Sequence, residues 1–205
     1  MLLMFQGTKK EYMRKKAHIY LAKYIADTLD WAPLNEYRKE FYAGSILPDC
    51  VPSFITKRHE FNGCFDDTMD LVKKLAACGE DKGAGMRSYA ARLGIVTHYL
   101  ADFFTYPHNT KFPGSMANHC HYEKYLTIEL KKYMTTMRAG EITSHLKQMD
   151  SVSDIARFVA KAHEKYLDEV LGLDNDLSYI VEVVFEVVCA IIRLYELPQV
   201  QAAAA

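Results

Sequence analysis

Two segments of the 205-residue chain offer an imidazole and a carboxylate at the same spacing, His98-Tyr99-Leu100-Ala101-Asp102 and His119-Cys120-His121-Tyr122-Glu123. On a helix, positions i and i+4 share one face with Cβ atoms about 5–6 Å apart, so each segment presents both groups to one point. Between them lies His108, six residues after Asp102, in a stretch that holds Pro107 and Pro113. A chain that leaves one helix, offers a loop histidine and returns with a second pair can enclose a multi-metal site. Imidazole with carboxylate and no thiolate suits zinc, iron or manganese. The same spacing also serves a helical hydrogen bond or a surface ion pair. The residues alone leave both readings open.

Other chemistries lack their motifs. His59-Glu60 and His163-Glu164 begin as a metalloprotease helix would, but neither reaches a second histidine. No Glu-x-x-His pair supports a di-iron carboxylate bundle. The His-Asp dipeptide of the common phosphohydrolase pattern is also missing. Gly83-Ala84-Gly85-Met86-Arg87-Ser88 resembles half of a dinucleotide loop, yet no strand precedes it and the final glycine is lacking. Cys120, beside His119, reads as an adjacent structural thiol and not as a nucleophile.

The elements that must carry these residues are helical. Over 10–30, His18, Leu21, Ala22, Ile25, Ala26 and Leu29 form one stripe. Trp31-Ala32-Pro33 interrupts it. A segment over 34–44 ends at Gly44, and Pro48 and Pro52 hold an irregular loop. Further helices are expected over 65–79, 86–105, 118–138, 151–171 and 175–196, with 106–117 a loop and Asp150 or Ser151 capping the 151–171 helix. No stretch alternates with period two for long. The expected fold is all-α, a single compact bundle of about six or seven helices in one domain over 1–205, with 1–8 and 198–205 as flexible tails.

Composition narrows the class. The chain is 50% hydrophobic and 25% charged, with net charge −1 and sequence pI ≈ 6.7. That supports a real core and argues against a dedicated nucleic-acid binder. Five scattered cysteines make a disulfide framework or a thiolate zinc knuckle unexpected. The apolar start, Met1-Leu2-Leu3-Met4-Phe5, precedes its basic cluster, the reverse of a signal peptide. The longest apolar stretch, 179–194, carries Glu182, Glu186 and Arg193 and reads as a buried helix. The protein is expected in the cytoplasm, or outside the cell if a leader has been trimmed.

In their order these residues resemble the zinc-dependent phospholipase C family, whose fold and metal cluster are shared in outline with the S1/P1-type nucleases. The family's early histidine, Gly-Ser-x-x-Pro-Asp loop, lone histidine, His-x3-Asp helix, histidine six residues on and final His-x3-Glu are similar to His18, Gly44-Ser45-Ile46-Leu47-Pro48-Asp49, His59, His98 with Asp102, His108, and His119 with Glu123. The resemblance covers residues 17–126 and implies an all-α fold with two or three zinc ions. It implies one zinc among Asp49, His59, His98 and Asp102, and a second among His108, His119 and Glu123. It further implies that Asp102 bridges to a third ion completed by His18. In the family that ion also takes an N-terminal Trp, whereas here 17 residues precede His18 and the only tryptophan is Trp31.

The resemblance also implies a role for Asp49 as general base or water-orienting carboxylate, and places His121 outside the ligand set. The residue after the loop aspartate, aromatic in secreted members, is Cys50 here; Phe54, Phe61, Phe65, Tyr99, Phe103 and Tyr106 are the candidate pocket aromatics. The implied activity is hydrolysis of a glycerophospholipid to diacylglycerol and a phosphorylated headgroup by a metal-activated water. A single-strand nuclease or small-molecule phosphoesterase on the same scaffold, and a non-catalytic metal-stabilised helical protein, are the alternatives. The expected partners are a phospholipid or other phosphodiester substrate and a transient membrane surface. A stable nucleic-acid partner is not expected.

Overall fold

The structure, a computed structural model, describes residues 9–51, 59–77, 85–137 and 146–203. Among the described residues it contains eight α-helices, two short 3-10 turns and no strand. In chain order these are α1 (Lys9–Leu29), α2 (Ala32–Glu36), α3 (Arg38–Ile46), the turn Leu47–Asp49, α4 (Phe61–Ala77), α5 (Met86–Phe103), the turn Tyr106–His108, α6 (Met116–Thr136), α7 (Val152–Asp168) and α8 (Leu173–Ala203). The all-α expectation holds.

The differences lie at boundaries. The segment expected over 34–44 is two helices, because Tyr37 leaves helical angles (φ −108°, ψ 32°). Pro33 sits in the first turn of α2, where its missing N–H costs no hydrogen bond. Within the expected loop 106–117, Tyr106–His108 closes a turn around Pro107, and Ser115 starts α6 by accepting from the Asn118 N–H. Ser151, not Asp150, caps α7. The last helix runs on to Ala203, past the expected end at 196. The whole of the expected tail 1–8 and residues 204–205 of the expected tail 198–205 lie outside the described residues.

Two helices form the interior. α8 buries Ile180, Val181, Val184, Phe185, Val188 and Ile191 and packs against α1 and α4 to α7, leaving Glu182 and Arg193 on a narrow exposed strip. No helix of the described residues is long and apolar enough to cross a membrane. α5 is buried along most of its length, including His98 and Asp102. It meets α3 at a close crossing made of two glycines. A Cβ on Gly44 would strike the Ala91 carbonyl, and one on Gly94 the Phe41 carbonyl. This backbone-on-backbone contact sets the depth at which the site is built.

Candidate metal centre

The centre grows outward from α5. One helical turn brings His98 Nε2 to 3.1 Å from Asp102 Oδ2. His59, just before α4, places Nδ1 3.0 Å from the same oxygen and 3.1 Å from His98 Nε2. Asp49, at the end of the turn after α3, brings Oδ1 to 3.9 Å from His98 Nε2 and 4.0 Å from His59 Nδ1. The other oxygen of Asp102, Oδ1, faces the opposite way, 3.4 Å from His18 Nε2 on α1 and 3.9 Å from His108 Nε2. His108 continues to Glu123 Oε1 at 3.2 Å, and His119 reaches that oxygen at 2.8 Å. All eight expected residues therefore meet in one chain of contacts centred on Asp102.

Proton accounting shows what this arrangement wants. His98 Nδ1 donates to the Ser45 carbonyl at 2.9 Å, so in a neutral ring Nε2 carries a lone pair. That lone pair faces an Asp102 oxygen, which only accepts. His59 Nδ1–H is the one proton that a neutral set places between the three atoms. The other ring nitrogen of His59 is buried with no hydrogen-bond partner. With that proton moved to the other ring nitrogen, the three atoms are electron-pair donors converging at 3.0–3.1 Å, and with a fourth at 3.9–4.0 Å they are spaced like a cation site. Tetrahedral zinc with bonds of about 2.0–2.1 Å separates its ligand atoms by about 3.3 Å.

The titration behaviour states the same demand for positive charge. Burial lowers the His98 imidazole, but the charge and hydrogen bond of Asp102, the charge of Asp49 and the Ser45 carbonyl outweigh it and raise it. Burial would raise Asp102, yet the surrounding His108, His98 and His18, with the His59 hydrogen bond, hold it well below the usual carboxylate range. His18 is pushed down to about 4 by burial and by the charge of His98, only partly offset by Asp102 and Asp49. A neutral His18 is a ready electron-pair donor.

Three groups could each hold an ion: Asp49, His59 and His98; His18, His98 and Asp102; and His108, His119 and Glu123. The first two compete, because His98 has committed Nδ1 to Ser45 and has only Nε2 to give. His18 sits mid-helix in α1, so its neighbours' backbone groups are tied into helical hydrogen bonds.

Outside the cluster, His121 is exposed with its ring against Tyr125. Of the candidate aromatics, Tyr99 presents its edge to His59, and Phe61 stacks on His163. Phe103 is core, and Phe54 lies outside the described residues. Cys50, Cys120 and Cys189 are free thiols.

Sequence reasoning missed the residues that hold the ligands' backbone. Asn109 Nδ2 donates to the Phe103 and Thr105 carbonyls, and its Oδ1 accepts from His163 Nε2 at 3.0 Å. Asp176 accepts from the Tyr106 N–H and from the hydroxyls of Tyr122 and Tyr166. The one signal in the sequence was an aspartate in the first turn of a largely apolar helix, which reads equally as a surface residue.

A family model described as zinc dependent phospholipase C matches residues 17–172, a span that includes all eight cluster residues. A comparison with curated proteins gave no match. The matched span runs from the first cluster histidine on α1 to the end of the loop before α8, and with the converging donors above it leads to one assignment: this chain belongs to the zinc-dependent phospholipase C family.

Proposed function

We propose that the protein hydrolyses the phosphodiester of a glycerophospholipid, releasing diacylglycerol and a phosphorylated headgroup, at a centre that holds two zinc ions tightly. The observation that carries this reading is the back-to-back use of Asp102, whose two oxygens face two different groups of donors. Asp49, His59, His98 and Asp102 would hold one ion, and His108, His119 and Glu123 the other. The position beside His18 retains only His18 and Asp102 Oδ1 once His98 serves the first group, so a third ion there is weak. Zinc in such a pair supplies a Lewis acid for the phosphate and lowers the pKa of its water towards ~7.

The residues then divide the work. Asp49 stands about 1 Å further from the histidines than Asp102 does, and its side chain is 12% exposed, so it lies at the solvent rim. It can accept the proton of the attacking water there. Asp49, Asp102 and Glu123 carry three negative charges against neutral imidazoles, so two divalent ions leave a net charge of +1 that favours an anionic substrate. This is how a chain with net charge −1 can use a phosphodiester without a basic surface.

Beside His108 a cleft of about 250 Å³ is lined by Glu60, Phe61, Asn109, His163 and Glu164. Two carboxylates and no lysine or arginine among its lining residues suit a neutral or cationic headgroup over an anionic one. Contact with a membrane surface follows from the substrate and is transient.

Hydrolysis of phospholipid vesicles, single-stranded DNA and p-nitrophenyl phosphoesters, run side by side on zinc-loaded protein, tests this function. Phospholipid is expected to be cleaved fastest. Asp49→Asn is expected to lower turnover about a hundredfold or more while keeping most of its zinc. Faster cleavage of DNA would replace the lipid reading with a nuclease, and full activity in Asp49→Asn would remove the base role.

A further inference from the structure

We propose that Asp176, which lies outside the eight-residue cluster, is a positioning residue for the group His108, His119 and Glu123. It does so by tying together the two elements that supply that group. The proposal rests on the two-ion reading above.

Asp176 lies in the first turn of α8 and is fully buried. Three donors reach it. The Tyr106 N–H and the Tyr122 hydroxyl both bind Oδ2 at 2.8 Å, and the Tyr166 hydroxyl binds Oδ1 at 2.7 Å. Tyr106 opens the 3-10 turn that ends in His108. Tyr122 precedes Glu123 on α6 and lies three residues after His119. One carboxylate oxygen thus joins the turn that offers one ligand to the helix that offers the other two.

The leverage is geometric. Successive residues on a helix point about 100° apart, so fixing the Tyr122 side chain fixes the rotation of α6 about its axis. That rotation decides where Glu123 and His119 aim. The turn is held on its far side by Asn109, which caps the Phe103 and Thr105 carbonyls and accepts from His163. Asp176 holds its near side. The anchor itself stands on α8, whose buried residues extend from Asp176 to Ile192, so it is tied to the interior. Groups that orient ligands without touching the ion change affinity by about ten- to a hundredfold when removed.

The test compares wild-type protein with Asp176→Asn, Tyr122→Phe and Tyr166→Phe. Each is loaded with zinc and titrated with a chelator while bound zinc per chain and the thermal midpoint are recorded. The wild type is expected to release two ions in separable steps. Asp176→Asn should release one of them at about ten- to a hundredfold lower chelator activity, with the other step unchanged. Tyr122→Phe should move the same step by less. Tyr166→Phe breaks only the tie to α7, so it should lower the midpoint without moving either step.

Coincident release curves for Asp176→Asn and wild type would overturn the proposal. So would an equal shift of both steps, which would mean general loosening. If Asp176→Asn fails to fold, an unmoved step in Tyr122→Phe overturns it, and a selective shift supports it. A wild-type chain that takes up no zinc would defeat the two-ion reading and this proposal with it; two-step release with unmoved variants would defeat this proposal alone.

Discussion

His163 shows how a histidine outside the metal cluster shapes the behaviour of the protein. Its ring lies flat on Phe61, with centroids 3.9 Å apart and planes 4° from parallel, and its Nε2 donates to Asn109. Burial pushes this imidazole down from 6.5 to about 4. Between those values the unfolded chain carries a proton there that the folded chain does not, so stability falls as the pH falls from 6.5 towards 4. At 1.36 kcal/mol per unit the loss amounts to about 3 kcal/mol. His163→Gln should remove that dependence. Urea unfolding of both proteins across this range is expected to show the wild type losing about 3 kcal/mol relative to the variant. Parallel pH profiles would mean that the histidine is not held neutral. Asp176 works in the other direction: burial raises its carboxyl to about 6, so acidification through that value favours the folded state. Comparing two proteins that both keep Asp176 cancels its contribution.

At the scale of elements, the crossing of α3 and α5 decides whether the ligands can converge. His98 is aimed by the Ser45 carbonyl, one residue after Gly44, and that carbonyl reaches the ring only because Gly44 and Gly94 let the two backbones touch. Gly94→Ala would place a methyl group against the Phe41 carbonyl and the Ser45 nitrogen, backbone atoms that cannot rotate aside. The helices must separate, at a cost of about 1–3 kcal/mol for overpacking. Thermal unfolding and zinc content should fall together in this variant. A normal zinc content at reduced stability would show that the crossing supports the fold alone. The same element logic explains the eight helices of the described residues where about six or seven were expected. Tyr37 bends the chain between α2 and α3, and no glycine or proline at that position announces it.

For the whole molecule, the centre draws donors from α1, the turn after α3, the segment before α4, α5, the turn after α5, and α6. Ions that bind these donors stabilise the mutual arrangement of the elements and have no preformed site in the unfolded chain. At a thousandfold excess over its dissociation constant each ion adds about 4 kcal/mol. In a chain of this size that shifts the thermal midpoint by about 10 °C or more. Chelation should therefore lower the midpoint by that amount, and added zinc should restore it. A midpoint indifferent to chelator would leave a bundle whose stability owes nothing to metal. The stoichiometry recovered on reloading is expected to be two per chain, with any third ion lost on dialysis.

How much of this was legible beforehand follows from which interactions are local. His98 with Asp102 and His119 with Glu123 could be paired from the sequence because the helix fixes i, i+4 geometry whatever surrounds it. The all-α class followed from the same periodicity, and the order of the remaining ligands carried the family resemblance. What the sequence could not state were relations between residues far apart in the chain. These include the Ser45 carbonyl behind His98 and the claim of two groups on one His98 nitrogen. They also include Asp176, which touches the turn 70 residues before it. Local spacing is set by the covalent chain and its helical hydrogen bonds. Convergence is set by which buried surfaces pack together, and that is decided only when the helices have closed on one another.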